Sequence, residues 1–355
     1  MEITLPRPDD LHLHVRDGDR MRDVAPLTAK YFGRALIMPN LRPPVRNAQD
    51  ALAYKQRILE HTKDSFTPLM SLYLTDETTP EDIAEANQHG VVACKLYPSG
   101  ATTNSSSGVT DVEALSTRGV LDAMAQHGLL LLVHAEVTTP SVDLFDRERV
   151  FIETVLTGVV QRHPQLKVVV EHCTTKAAVD FVNAQGPNVA ATLTPQHLLL
   201  TRSDLFVGGL RPHRYCLPVL KTNEDRQALQ EVIRSGNKKF FAGTDSAPHP
   251  IERKLASCCS AGCFSAPFAL QLYATAFEQA GVDLSTQEGQ AKLRAFLCEN
   301  GADFYGMPRS QSSDGTVTLR REEFAVPAQL PFGDSVVVPL FAETTLPWSV
   351  VTVTN

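Results

Sequence analysis

The sequence predicts a closed (β/α)8 barrel, and two observations carry that expectation. Eight short apolar runs follow one another: DLHLHV, RALIMPN, FTPLMSLYL, GVVACKLYP, GLLLLVHAE, LKVVVEHCT, NVAATLTP and KKFFAGTDS. Between most of them lie longer stretches that read as helices, over 48–61, 80–89, 120–127, 147–163, 175–185 and 223–235. Apolar runs of this length read as strands, and strand-helix alternation points to a parallel sheet. Eight repeats favour closure into a barrel over an open doubly wound sheet.

Taken in order, the runs also carry polar residues at matching places. The first holds His12 and His14, with Leu13 between them. Residues i and i+2 on a strand share a face, so both imidazoles can meet one ion while Leu13 points toward the helices. Arg16 continues that face if the extended geometry persists, and its planar fork suits a carboxylate; otherwise it is a surface ion-pair residue. The second run ends at Asn40. After the third come Thr78, Thr79 and Pro80, a capping residue and a first-turn proline for the helix over 80–89. Lys95 lies late in the fourth run, His134 ends the fifth, and His172 ends the sixth. The eighth carries Asp245 before a turn, with His249 four residues on. Beyond it, 264–280 and 287–300 read as two further helices. The tail from Ser310, rich in Val, Thr and Pro, packs outside the barrel or adds a small strand layer. The chain is expected to be one domain, 1–355, with 264–355 packed on the barrel.

Seven polar groups from six strands would then converge on the C-terminal mouth, the face on which barrels of this type build active sites. Each residue alone has a plainer reading. A strand histidine is more often a hydrogen-bonded core residue, an aspartate before a turn is often a cap, and a lysine is usually structural. Convergence is what favours a metal centre. Neutral imidazoles bind zinc and other first-row metals, and a carboxylate can ligate and also accept a proton from water. Lys95 leaves two chemistries open. It is a Schiff-base nucleophile, or it is carbamylated by CO2 and becomes an anion able to bridge two cations; the surrounding histidines favour the second. His61, His89, His127 and His163 fall at helix ends, where a cationic side chain suits the dipole. His197 and His213 have no assignment.

Bulk properties narrow the function classes. The 355 residues are 43% hydrophobic and 21% charged, ordinary globular composition. Net charge is −7 with Lys and Arg scattered, so there is no basic stripe for nucleic acid. Apolar runs are too short to cross a bilayer, and MEITLPRPDD does not read as a signal peptide. Seven cysteines, an odd number, suit a reducing compartment, and CCSAGC lacks the spacing of a zinc knuckle.

At this point the chain resembles the dihydroorotases, in their bacterial single-function type within the amidohydrolase superfamily. The resemblance covers nearly the whole length. It rests on RPDDLHLHVRDG, MPNLRPP, KLYPSGATTNSSSGVT, LLVHAEV, EHCTTK, TPQHL, RPHRYCLP, GTDSAPH and CFSAPFAL. H-x-H is widespread in the superfamily; KLYP followed by ATTNS, together with GTDSAPH, is much more specific. Ala135 stands where a glycine often follows the fifth-strand histidine, and the residues after His249 also vary.

The resemblance implies a TIM-type barrel of the metal-dependent hydrolase kind. It implies zinc-dependent, reversible hydrolysis of the cyclic amide of (S)-dihydroorotate to N-carbamoyl-L-aspartate, the third step of pyrimidine biosynthesis. His12 and His14 would bind the more buried zinc with Asp245, and His134 and His172 the second. Lys95, as N6-carboxylysine, and a hydroxide would bridge the two zinc ions. Arg16 and Asn40, helped by His249, would bind the substrate carboxylate, with His14 also touching substrate. The backbone of Leu217 and Ala261 would meet the ring amides, and Thr102 and Thr103 would lie in a loop that closes over them. Asp245 would carry the proton. A cytoplasmic homodimer is implied, with no nucleic-acid or membrane partner.

Three rivals remain at this level. A Schiff-base lyase using Lys95 predicts insensitivity to chelators. A non-enzymatic homologue predicts missing ligands, and none is missing. A hydantoinase or allantoinase fits the fold, but Arg16 and Asn40 suit an acidic substrate better.

Overall fold

The computed structural model describes residues 1–62 and 65–354. Strand β1 (Glu2–Pro6) precedes eight parallel strands: β2 (Asp9–Leu13), β3 (Arg34–Ile37), β4 (Thr67–Tyr73), β5 (Ala93–Leu96), β6 (Leu130–Val133), β7 (Val168–Val170), β8 (Val189–Leu193) and β9 (Phe240–Ala242). They pair in sequence order, β2 to β9. The barrel closes beyond the end of β9, where the Asp245 amide donates to the His12 carbonyl at 2.9 Å and the His14 amide donates to the Ser246 carbonyl at 3.1 Å. All eight apolar runs therefore form the expected strands in the expected order.

Alternation along each strand builds two apolar layers. Leu130 and Leu132 of β6 join Leu11, Leu36, Val169 and Phe241 inside the barrel. Leu131 and Val133 point outward into the larger cluster beneath the helices. Phe304, Tyr305 and Met307 pack against the inner cluster. The barrel interior is thus filled by apolar side chains.

The helices agree with the sequence reading, with local corrections. Pro80–Gln88 is capped by Thr79, whose hydroxyl accepts from the Asp82 amide while Asp82 accepts from the Thr79 amide. Thr78 does not cap it; its hydroxyl accepts from the Thr75 amide at 3.0 Å. The stretch over 147–163 is two α-helical pieces, Arg147–Phe151 and Thr157–Arg162, joined by a π-helical segment, Ile152–Leu156. The stretch over 287–300 is likewise Gln287–Arg294, a π segment Ala295–Glu299, and Asn300–Tyr305. The helix expected from 264 begins at Ala269, after a 3-10 turn at Ala266–Phe268. The helix Gly18–Ala29, capped by Asp17, was not foreseen, because Pro26 lies in its interior and its first turn reads as a polar loop.

The tail forms the added strand layer. Strands β10 (Thr316–Arg320) and β11 (Ser349–Val353) build a three-stranded antiparallel sheet with β1 on the other side of β10. Ile3 and Leu5 pair with Leu319 and Val317, and all four are buried. The sequence reading missed β1, since its partner lies more than 300 residues away in the chain.

Candidate active site

Of the polar residues singled out at strand ends, His12, His14, Asn40, His134, His172 and Asp245 line one chamber at the barrel mouth, and Lys95 lies buried against Glu171. His12 lies in β2 and His14 directly after it, with ring centroids 5.4 Å apart. Nε2 of His12 and Nε2 of His14 lie 3.2 and 3.1 Å from the same oxygen of Asp245, Oδ1. These three side chains offer ligand atoms all within 4.8 Å of one another, and all three are buried. His172 stands beside His12, centroids 5.1 Å apart, and His134 stands 4.8 Å from His172.

Local structure explains why these residues meet. The seam that closes the barrel runs through His12, His14 and Asp245. The turn holding Asp245 is anchored one residue earlier: Thr244 donates its amide to Asp10 at 2.8 Å and its hydroxyl at 2.6 Å. The His172 amide donates to Thr192 Oγ1 at 2.7 Å. Arg16, His172 and Asp245 all take positive φ, at 61°, 41° and 45°. Left-handed backbone costs a non-glycine residue about 1–2 kcal/mol, and three such residues at one mouth mark strain held by the surrounding bonds. Arg16 therefore does not arrive by strand alternation, as the sequence suggested; β2 ends at Leu13, and a left-handed turn aims Arg16 at the chamber.

The donor set fits divalent transition metals. Nδ1 of His172 is buried without a hydrogen-bond partner in the protein. Burial holds His14 down to about 4 and His172 well below the usual imidazole range, so both stay neutral, as ligands must be. Burial opposes charge on His12, but the Glu171 and Asp245 carboxylates together outweigh it and raise the pKa. His12 Nδ1 donates to Glu171 Oε2, which leaves Nε2 for an ion. Asp245 would be raised by burial alone, yet His12 and His14 hold it well below the usual carboxylate range.

Lys95 lies in β5 with no exposed surface, 3.2 Å from Glu171 Oε2. Burial lowers its pKa, against the pull of Glu171 and Asp245. His134 Nε2 lies 2.7 Å from Glu136 Oε2. Glu136, Glu171 and Tyr97 were not singled out in the sequence, although each sits within two residues of a residue that was. A glutamate ending an aliphatic strand, in KVVVEH, was the available signal.

The outer half of the chamber holds the other expected residues. Arg16 Nε donates to the Pro248 carbonyl at 2.8 Å, and Nη2 lies 3.2 Å from His249 Nε2. Burial lowers the Arg16 pKa to about 10, and among the described residues no carboxylate pairs with it. Asn40 donates to the Thr103 carbonyl at 3.1 Å, and Thr103 Oγ1 lies 3.4 Å from the Ala261 carbonyl. Thr102, Thr103, Leu217 and Ala261 line the chamber with Arg16 and Asn40. His249 Nε2 also lies 2.9 Å from the Ala261 carbonyl, at the chamber edge.

The remaining candidates serve the fold. His197 is buried between the Thr194 hydroxyl and the Pro218 carbonyl. His163 bonds Ser116 and Asp122 at its helix end, and His89 bonds the Glu85 carbonyl. Cys258, Cys259 and Cys263 carry free thiols, and among the described residues they join no metal-ligating group.

The model of the amidohydrolase family matches residues 9–311. A dihydroorotase of Marinobacter nauticus is 54% identical, covering 98% of both chains. The crystal structure of a dihydroorotase from Campylobacter jejuni superimposes with a TM-score of 0.87 at 36% identity, covering 98% of this chain and 97% of that one. A dihydroorotase from Saccharomyces cerevisiae, solved with 5-fluoroorotic acid, gives 0.88 at 33% identity, covering 99% and 98%. The chain belongs to the amidohydrolase family and, within it, to the dihydroorotases.

Proposed function

We propose that this chain opens and closes the ring of dihydroorotate, hydrolysing its cyclic amide reversibly to N-carbamoyl-L-aspartate. The observation that carries the reading is the mouth itself, where a cluster rich in metal ligands adjoins the Arg16 guanidinium, with which no carboxylate pairs among the described residues. A hydantoinase needs the first half of that arrangement and has no use for the second.

His12, His14 and Asp245 would hold one zinc ion and His134 and His172 another, with a carboxylated Lys95 shared between them. The metals would supply a Lewis acid for the ring carbonyl and water acidified toward neutral pH. Glu171 and Glu136 orient His12 and His134 through their outer ring nitrogens.

Arg16 and Asn40 receive the substrate carboxylate, with His249 held neutral beside Arg16. Burial and the Arg16 charge press the His249 pKa down to about 2. The main chain of Leu217 and Ala261 meets the ring amides, and His14 contacts the substrate as well. Thr102 and Thr103 shut the chamber against bulk water. Asp245 takes the proton of the attacking water and passes it to the leaving ring nitrogen; in the synthetic direction the transfers reverse.

We also infer a homodimer in the cytoplasm. Seven free thiols support a reducing compartment, and among the described residues no helix is long and apolar enough to cross a membrane. The test is turnover of dihydroorotate, N-carbamoyl-aspartate, hydantoin and allantoin by the purified zinc form. Turnover of the first two is expected. Preference for an uncharged ring would overturn the assignment of Arg16 and Asn40.

A further inference from the structure

We propose that Lys254 is a positioning residue for the substrate: its ammonium fixes the two main-chain segments that meet the ring amides, and so sets how tightly the cyclic substrate is held. The inference rests on the ring-amide assignment of Leu217 and Ala261 above.

Lys254 lies in the short helix Ile251–Leu255 and is 4% exposed. Its Nζ donates to three carbonyls, those of Tyr215 at 2.9 Å, Ser260 at 2.8 Å and Gly262 at 2.9 Å. An ammonium has three N–H donors, so all of them are used. Ser260 and Gly262 flank Ala261 on both sides, and Tyr215 stands two residues before Leu217. The Gly262 amide donates to the Tyr215 carbonyl at 2.9 Å, so the two segments are also tied directly. The same helix follows His249 and Pro250, which places the His249 contact with Ala261 under the same constraint.

Among the described residues no carboxylate pairs with Lys254, so burying this cation is not offset by an ion pair. An apolar side chain of similar length would fill the space. What it would not do is fix three carbonyls from two loops around one point. Lys254 does not line the chamber, and its donors are all taken, which leaves it no part as nucleophile or base. Its effect passes through the backbone of Leu217 and Ala261.

The experiment is steady-state kinetics of Lys254→Met and Lys254→Arg in both directions, on folded protein with zinc content matched to wild type. The Met variant is expected to raise KM for dihydroorotate about tenfold or more while kcat changes less than about threefold, the pattern of lost uniform binding. The Arg variant keeps the charge, but a planar fork does not reproduce the tripod, so a smaller rise in KM is expected. The equilibrium constant is fixed, so kcat/KM must fall by the same factor in both directions. A purely structural lysine would lower the melting temperature and leave both constants per folded molecule unchanged. That result, or a fall in kcat at constant KM, overturns the proposal. If the Met variant does not fold, the Arg variant decides by the same criteria. Wild-type protein without dihydroorotate turnover would overturn the functional reading as well, whereas active wild type with unchanged variants overturns only the role of Lys254.

Discussion

Asp245 Oδ1 lies 3.1 Å from Nε2 of His14, across 231 residues of chain. The contact sits on the seam that closes the barrel, so the step that completes the fold also assembles the site. Asp245→Asn keeps the shape and removes the proton acceptor. It should lower kcat about a hundredfold or more, the range of a lost general base, with metal still bound. Near-normal turnover in a metal-loaded Asn variant would remove Asp245 from proton transfer.

Glu171 touches both His12 and Lys95 and is wholly buried. Glu171→Gln should weaken metal binding about 10–100-fold by freeing the His12 ring, as loss of an orienting carboxylate does elsewhere. Competition with a chromophoric chelator measures it. Wild-type affinity in the Gln variant would show that packing alone holds the imidazole.

Lys95 should carry CO2 in the active enzyme. Native intact mass should exceed that of the sequence plus its bound metal by one CO2, and this excess should vanish in acid. Lys95→Ala should lose metal and turnover together. An unmodified amine in fully active protein contradicts the bridging role.

Much of this was legible in the sequence. Eight apolar runs gave the barrel, and polar residues at their ends gave the mouth, because strand period and barrel direction convert spacing into location. Less local features were hidden. Strand β1 depends on a partner at Thr316–Arg320. Arg16 reaches the chamber by a left-handed turn that no periodicity announces. Glu136 and Glu171 read as ordinary charged residues until the backbone places each against a histidine. Lys254 looks like one more helix lysine, and only tertiary contacts reveal its three carbonyls.

The cap at Thr79 offers a control for stability without function. Thr79→Ala removes half of the capping box with Asp82 and should cost about 1 kcal/mol. The melting temperature should drop while kcat and KM hold. A change in KM would mean that this helix communicates with the mouth.

The most direct measurement is metal content against activity in one preparation. Chelation should abolish dihydroorotate turnover, and zinc titrated into the stripped chain should restore it, reaching a plateau at two ions per chain. Full turnover by chain stripped of divalent metal would contradict the account at its centre.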